Sequence, residues 1–158
     1  MQHGEHELDL RGSSGQVSET PFDADRLSTD VVKRLTGERY AWLTTVNGAG
    51  MPVPMLVWFH FDGSTLTVYS QPRAARVTHI FEHPAVSLHL ESDGVGSDLV
   101  IVGGNAAVTA QWVDPRDDHR FWAKYHLEAD LTGLSETIAK YSTRITITPT
   151  TVWTTSPQ

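Results

Sequence analysis

The spacing of hydrophobic and polar positions changes period several times along the chain. Between Pro21 and Glu38, Leu27, Val31, Val32 and Leu35 recur at helical spacing while Asp30, Lys33 and Arg34 turn outward, which predicts a helix stopped near Gly37. The period then drops to two, or to solid β-rich runs. Tyr40–Val46 and Met51–Phe61 are predicted strands joined by the turn Asn47-Gly48-Ala49-Gly50. Pro52 and Pro54 cannot both sit in a full ladder, so the start of the second strand belongs at an edge or a bulge. Thr65–Ser70 is a third strand, Pro84–Glu91 a fourth, and Leu99–Val113 a long β-rich run in which Gly103-Gly104 marks a bulge or tight bend. Residues 72–82, 115–126 and 134–141 read as short helices, and Thr143–Thr154 closes the chain as a strand broken at Pro149.

About six strands at hairpin spacing, with short helices as connectors, predict an antiparallel barrel and not a βαβ sheet. Residues 1–20 are polar and aperiodic, so they are expected to be a flexible leader to a single domain over 21–158. A chain of 158 residues fits one domain with a sizeable core. It has no cysteine, which removes disulfides, thiolate metal sites and cysteine nucleophiles. No apolar run approaches the ~18 residues of a membrane span, and no export signal is visible, so a cytoplasmic protein without a membrane partner is expected.

The net charge of −7 argues against nucleic acid as a partner. The acidity is uneven, however. Residues 1–30 carry seven carboxylates, whereas Ser64 to Ile80 carries Arg73 and Arg76 and none. A strand running into Ser70 and Gln71, followed by a helix start bearing two arginines, can converge backbone N–H groups, a hydroxyl and two guanidinium groups on one anion. Two surface arginines on a short helix account for the same residues. The eight histidines show no metal-ligand spacing, no GxSxG elbow surrounds a serine, and neither Tyr69 nor Ser70 has a base beside it in sequence. The five tryptophans suggest an apolar groove or an interface, as well as core packing. No side chain is therefore assigned a catalytic role, and reactivity would have to come from a bound cofactor.

The succession RYAWLTTVNGAGMPVPMLVWFHFDGSTLTVYSQPRAARVTHIFEHPAVSLHL resembles the pyridoxamine 5′-phosphate oxidase-like superfamily of split β-barrels. More narrowly it is similar to the B group of flavin/deazaflavin-dependent oxidoreductases, with further likeness in AKYHLEADLTG at 123–133 and TRITITPTTVW at 143–153. The resemblance implies an FMN-binding-like split barrel, a homodimer with the cofactor site across its two-fold interface, and coenzyme F420 as cofactor, with FMN or haem as alternatives. It implies that Pro54, Met55, Leu56, Val57 and Trp58 lie along the cofactor ring. Tyr69, Ser70, Gln71, Arg73 and Arg76 would hold its phosphate. The oxidases proper place basic residues on the ring-facing strand, where this chain has Pro54 and Phe59. The expected activity is hydride transfer to a conjugated small molecule.

Overall fold

A computed structural model of the chain describes residues 17–155. Strand β1 (Val17–Pro21) leads through a 3-10 turn at Ala24–Arg26 into helix α1 (Thr29–Gly37). The Ser28 hydroxyl caps α1 by accepting from the Val31 N–H at 3.1 Å, and Val31 and Leu35 form its buried face. Strand β2 (Ala41–Val46) buries Ala41, Leu43 and Thr45 and leaves alternate residues half-covered. The turn after it is tied by the Asn47 side chain, which accepts from the Ala49 and Met51 N–H groups, and Gly50 supplies the left-handed residue at φ +82°.

Strand β3 (Pro52–Val57) pairs only with β2 and ends the sheet, so both prolines sit on an edge as their chemistry requires. The single strand expected over Met51–Phe61 is broken: β4 (His60–Phe61) pairs with β5 (Leu66–Ser70) instead. Helix α2 (Ala75–Glu82) and strand β6 (Ala85–His89) follow, then β7 (Val100–Val108), helix α3 (His119–Thr132) and the long strand β8 (Thr143–Thr155). The sheet order is β3-β2-β6-β7-β8-β5-β4, with β1 added to the far end of β8 and every pairing antiparallel.

This is the antiparallel barrel that the pattern predicts, in the split form that the resemblance implies, with eight strands where about six were expected. One extra strand is the detached β4. The other is β1: Val17 to Thr20, expected in the leader, pair with β8 opposite Thr155 to Val152. The rest of the expected leader, residues 1–16, lies outside the described residues. Two helical spans and one strand also shift. The α3 helix begins at His119, after a 3-10 turn at Pro115–Asp117, and runs to Thr132, where Gly133 at φ +77° stops it. Residues 134–141 form two 3-10 turns in place of a helix, and the long run 99–113 leaves the sheet at Val108.

The main core lies inside the curled sheet and includes Leu35, Leu43, Phe59, Leu66, Val68, Leu88, Val102, Ile145 and Ile147. Burial of such side chains, at about 1.5–3 kcal/mol each, drives the closure. A second cluster, Tyr69, Phe121 and Tyr125 with Trp58, Val113 and Tyr141 against it, fastens α3 to the ends of β3 and β5.

Candidate functional site

The site grows from the point where β3 leaves the sheet. The Phe59 N–H donates to the Tyr125 hydroxyl at 2.9 Å, and the Phe59 carbonyl accepts from Lys124 Nζ at 2.8 Å. Side chains of α3 thus replace the strand partners that Phe59 would otherwise need, and the chain kinks without leaving buried backbone groups unpaired. The kink lays the Trp58 ring flat on Tyr125, with centroids 4.6 Å apart and planes 5° apart. Burial pushes the Tyr125 phenol up, so this hydroxyl stays protonated and structural.

Beside this stack opens a cleft of about 260 Å³ lined by Leu56, Val57, Trp58, Tyr69, Arg76, Phe121, Leu134, Ile138 and Tyr141. A second cavity of about 370 Å³ adjoins it, lined by Ser70, Gln71, Arg73, Ala74, Arg76 and Tyr141. Arg76 and Tyr141 border both, so an aromatic compartment and a polar one share a wall. Arg76 is half-buried, and its Nη1 donates to the Ser70 hydroxyl at 3.2 Å. Among the described residues no carboxylate lies within ion-pair distance of it. Burial pulls the guanidinium below its ordinary pKa, and the neighbouring Tyr141 opposes that shift. A half-buried guanidinium with one side-chain hydrogen bond has further donors that an oxyanion could take.

Of the residues expected at the site, Leu56, Val57, Trp58 and Tyr69 line the aromatic compartment, Ser70, Gln71 and Arg73 the polar one, and Arg76 both. Pro54 and Met55 border neither; they lie exposed on the β3 edge, where Met55 keeps 45% of its surface. Arg73 and Arg76 do not share a helix face, because α2 starts only at Ala75. A turn in which the Ala74 N–H bonds the Gln71 carbonyl at 3.0 Å carries Pro72 and Arg73, and the turn delivers Arg73 to the same cavity.

The sequence reading missed Phe121, Leu134, Ile138 and Tyr141. A signal for Tyr141 exists. Ser70 pairs with Thr143 in the β5–β8 register, so the residues just before Thr143 must lie beside Gln71. Among the described residues no cluster of three or more metal-ligating side chains occurs. Ser70 accepts a hydrogen bond from Arg76, an arrangement that can bind and orient an anion. The pair of compartments suits a planar conjugated group joined to an oxyanion.

Residues 27–156 match the family of pyridoxamine 5′-phosphate oxidase. The chain belongs to that family. No curated protein matches the chain. Solved structures with this split barrel include an F420 reductase, 20% identical, at TM-score 0.52 over 78% of this chain and 92% of that one. General stress protein 26 of Bacillus anthracis is 20% identical at TM-score 0.62, over 81% and 92% of the two chains. A FAD-binding protein of Mesorhizobium loti is 15% identical at TM-score 0.57, over 89% and 99%. At these identities the likeness is one of fold. Among the described residues no helix is long and apolar enough to cross a membrane.

Proposed function

We propose that the protein is an F420-dependent oxidoreductase that works as a cytoplasmic homodimer and reduces a conjugated small molecule. The observation that carries this reading is Arg76: a half-buried guanidinium with no carboxylate partner among the described residues, set between an aromatic cleft and a polar cavity. A deazaflavin with a phosphate on its side chain matches that pair of compartments, and one structural neighbour is an F420 reductase. The residues present fit the group. Arg76, Arg73 and Ser70 would hold the phosphate, and the backbone of Leu56–Trp58 would hold the ring edge, with Trp58 and Tyr69 walling the cleft.

When bound, reduced F420 supplies a hydride from C5 of its ring. The chain's part is orientation and the exclusion of water, since no side chain need become a nucleophile. Arg76 fixes the anion by charge-assisted hydrogen bonds, and the apolar wall of Leu56, Val57 and Phe121 keeps the ring's environment dry. Water is the proton source for the product. Pro54 and Phe59, where the oxidases proper carry basic residues, favour the deazaflavin over FMN. The FAD-binding neighbour keeps a flavin as the second reading.

The test is a spectroscopic titration of the apoprotein with F420, FMN and haem in separate samples. F420 is expected to bind most tightly. Charge-assisted hydrogen bonds are worth about 1.5–3 kcal/mol, so Arg76→Ala should weaken cofactor binding by roughly 10- to 150-fold. Arg73→Ala should act in the same direction but less, because that side chain is exposed. Turnover at saturation should change far less in both. Unchanged F420 affinity in the Arg73/Arg76 double alanine variant would remove the anion-site assignment.

A further inference from the structure

The wall of the aromatic cleft has a polar backing that no role yet described uses. Tyr69 turns its ring to the cleft, and its hydroxyl points away and donates to Asp118 Oδ2 at 2.7 Å. His60 Nε2 approaches the same oxygen at 3.2 Å, while the other oxygen, Oδ1, accepts the Phe121 N–H at 3.2 Å as the N-cap of α3. One carboxylate therefore joins β4, β5 and the start of α3. His60 is nine-tenths buried, and among the described residues its Nδ1 has no hydrogen-bond partner and Asp118 is the ring's single hydrogen-bonding anchor.

We propose that Asp118, held by His60, is a positioning residue that fixes the Tyr69 ring as a wall of the cofactor cleft. This rests on the cofactor reading given above. Beside a hydrogen bond with Arg144, Tyr69 has two constraints that each fix a different coordinate. Phe121 meets it edge-on at 4.8 Å and 72°, which sets the tilt of the ring, while the hydroxyl bond to Asp118 sets its depth. The electrostatics agree. Burial and the Asp118 charge both push the Tyr69 phenol up, keeping it a donor. Burial opposes ionisation of Asp118, yet the Tyr69 hydroxyl, the Phe121 N–H and His60 hold its carboxyl below the usual range. The network backs onto an open groove that Asp62, Asp117, His119, Arg120 and Arg144 line together with Asp118. Arg144 stands opposite Tyr69 in the β5–β8 register and lowers the phenol's pKa against that upward push.

The test uses Asp118→Asn and Tyr69→Phe, singly and together. Asparagine caps helices as well as aspartate, so Asp118→Asn keeps α3 while removing the charged acceptor. Tyr69→Phe breaks the same bond from the other end and leaves the cap alone, which covers a failure of the first variant to fold. Each single change should weaken F420 binding by roughly 3- to 10-fold, and the double variant should be no worse than either single one, because both remove one interaction. Arg76→Ala combined with Asp118→Asn should instead give multiplied losses. Full additivity between Asp118→Asn and Tyr69→Phe, or wild-type affinity in both, overturns the proposal. A readout without cofactor separates this from the function itself. In the apoprotein labelled with ¹³C-tyrosine at neutral pH, the Tyr69 Cζ resonance should move in Asp118→Asn and stay in place in Arg76→Ala. If the wild type binds neither F420 nor FMN, the cofactor reading falls; a moved Tyr69 resonance then still supports the positioning role, and an unmoved one refutes it.

Discussion

The ammonium of Lys124 shows how single residues tie the fold to the site. It sits 4.1 Å from the centroid of Phe59, and its Nζ donates to the Phe59 carbonyl at 2.8 Å, next to the kink that presents Trp58. Burial, with the Arg39 charge nearby, pushes Lys124 down to about 8. The folded state thus releases this proton near pH 8, and the unfolded chain releases it near the ordinary value of 10.5. Between the two the unfolded state binds more protons, so stability should rise with pH from about 8 toward 10. Above pH 10 the raised phenols of Tyr69 and Tyr125 act in the opposite sense. Lys124→Met keeps the apolar stem, and the Phe59 carbonyl retains the Tyr125 hydroxyl at 2.8 Å. Thermal unfolding recorded from pH 7 to 10 should show the rise in the wild type and a flatter profile in the variant. An equal rise in both would mean that the proton belongs to another group.

At the scale of elements, the β7 bulge carries a second prediction. The register between β7 and β8 shifts between Gly103 and Gly104, and a Cβ on Gly104 would stand 2.4 Å from the Thr148 carbonyl oxygen. That atom is backbone in a paired strand and cannot move aside. Gly104→Ala should cost about 1–3 kcal/mol, read as a lower denaturant midpoint with the slope unchanged. Gly103→Ala meets the Trp153 ring at 3.0 Å and the Thr151 Cβ at 3.9 Å, and should cost less because a side chain can shift. Local chemistry of this kind is legible in the chain itself: the Gly-Gly pair, the Asn-Gly turn and the two edge prolines each state their own geometry. The break of the second strand at Trp58 and Phe59 is not, because Tyr125 and Lys124 cause it from 66 and 65 residues away. The same holds for the site. Ser70, Arg73 and Arg76 are neighbours in sequence and could be read together, whereas Phe121, Ile138 and Tyr141 reach the cleft only through the packing of α3 and the pairing of β5 with β8.

For the whole molecule, the decisive surface is the free edge of the sheet. Among the described residues strand β3 has no partner on one side, and Pro52, Pro54, Met55 and Leu56 are all exposed there, with Leu56 at 47%. An apolar edge strand left open invites pairing or aggregation unless something covers it. The proline rings deny it the N–H donors for strand addition, so packing of side chains, and not extension of the sheet, suits this edge. Leu56 also lines the aromatic cleft, so the open edge and the cleft share a boundary. A second copy packed across that edge would cover Met55 and Leu56 and close the cleft, generating two symmetric sites per dimer. Sedimentation at micromolar concentration should therefore give a dimer. Met55→Asp, whose side chain borders neither compartment, should shift that equilibrium toward monomer while leaving the circular dichroism of the barrel intact. Cofactor affinity should then become dependent on protein concentration, since a cleft closed by the partner is complete only in the dimer. A monomeric wild type, or a monomeric variant that binds cofactor as tightly as the dimer, would show that one chain builds the site alone.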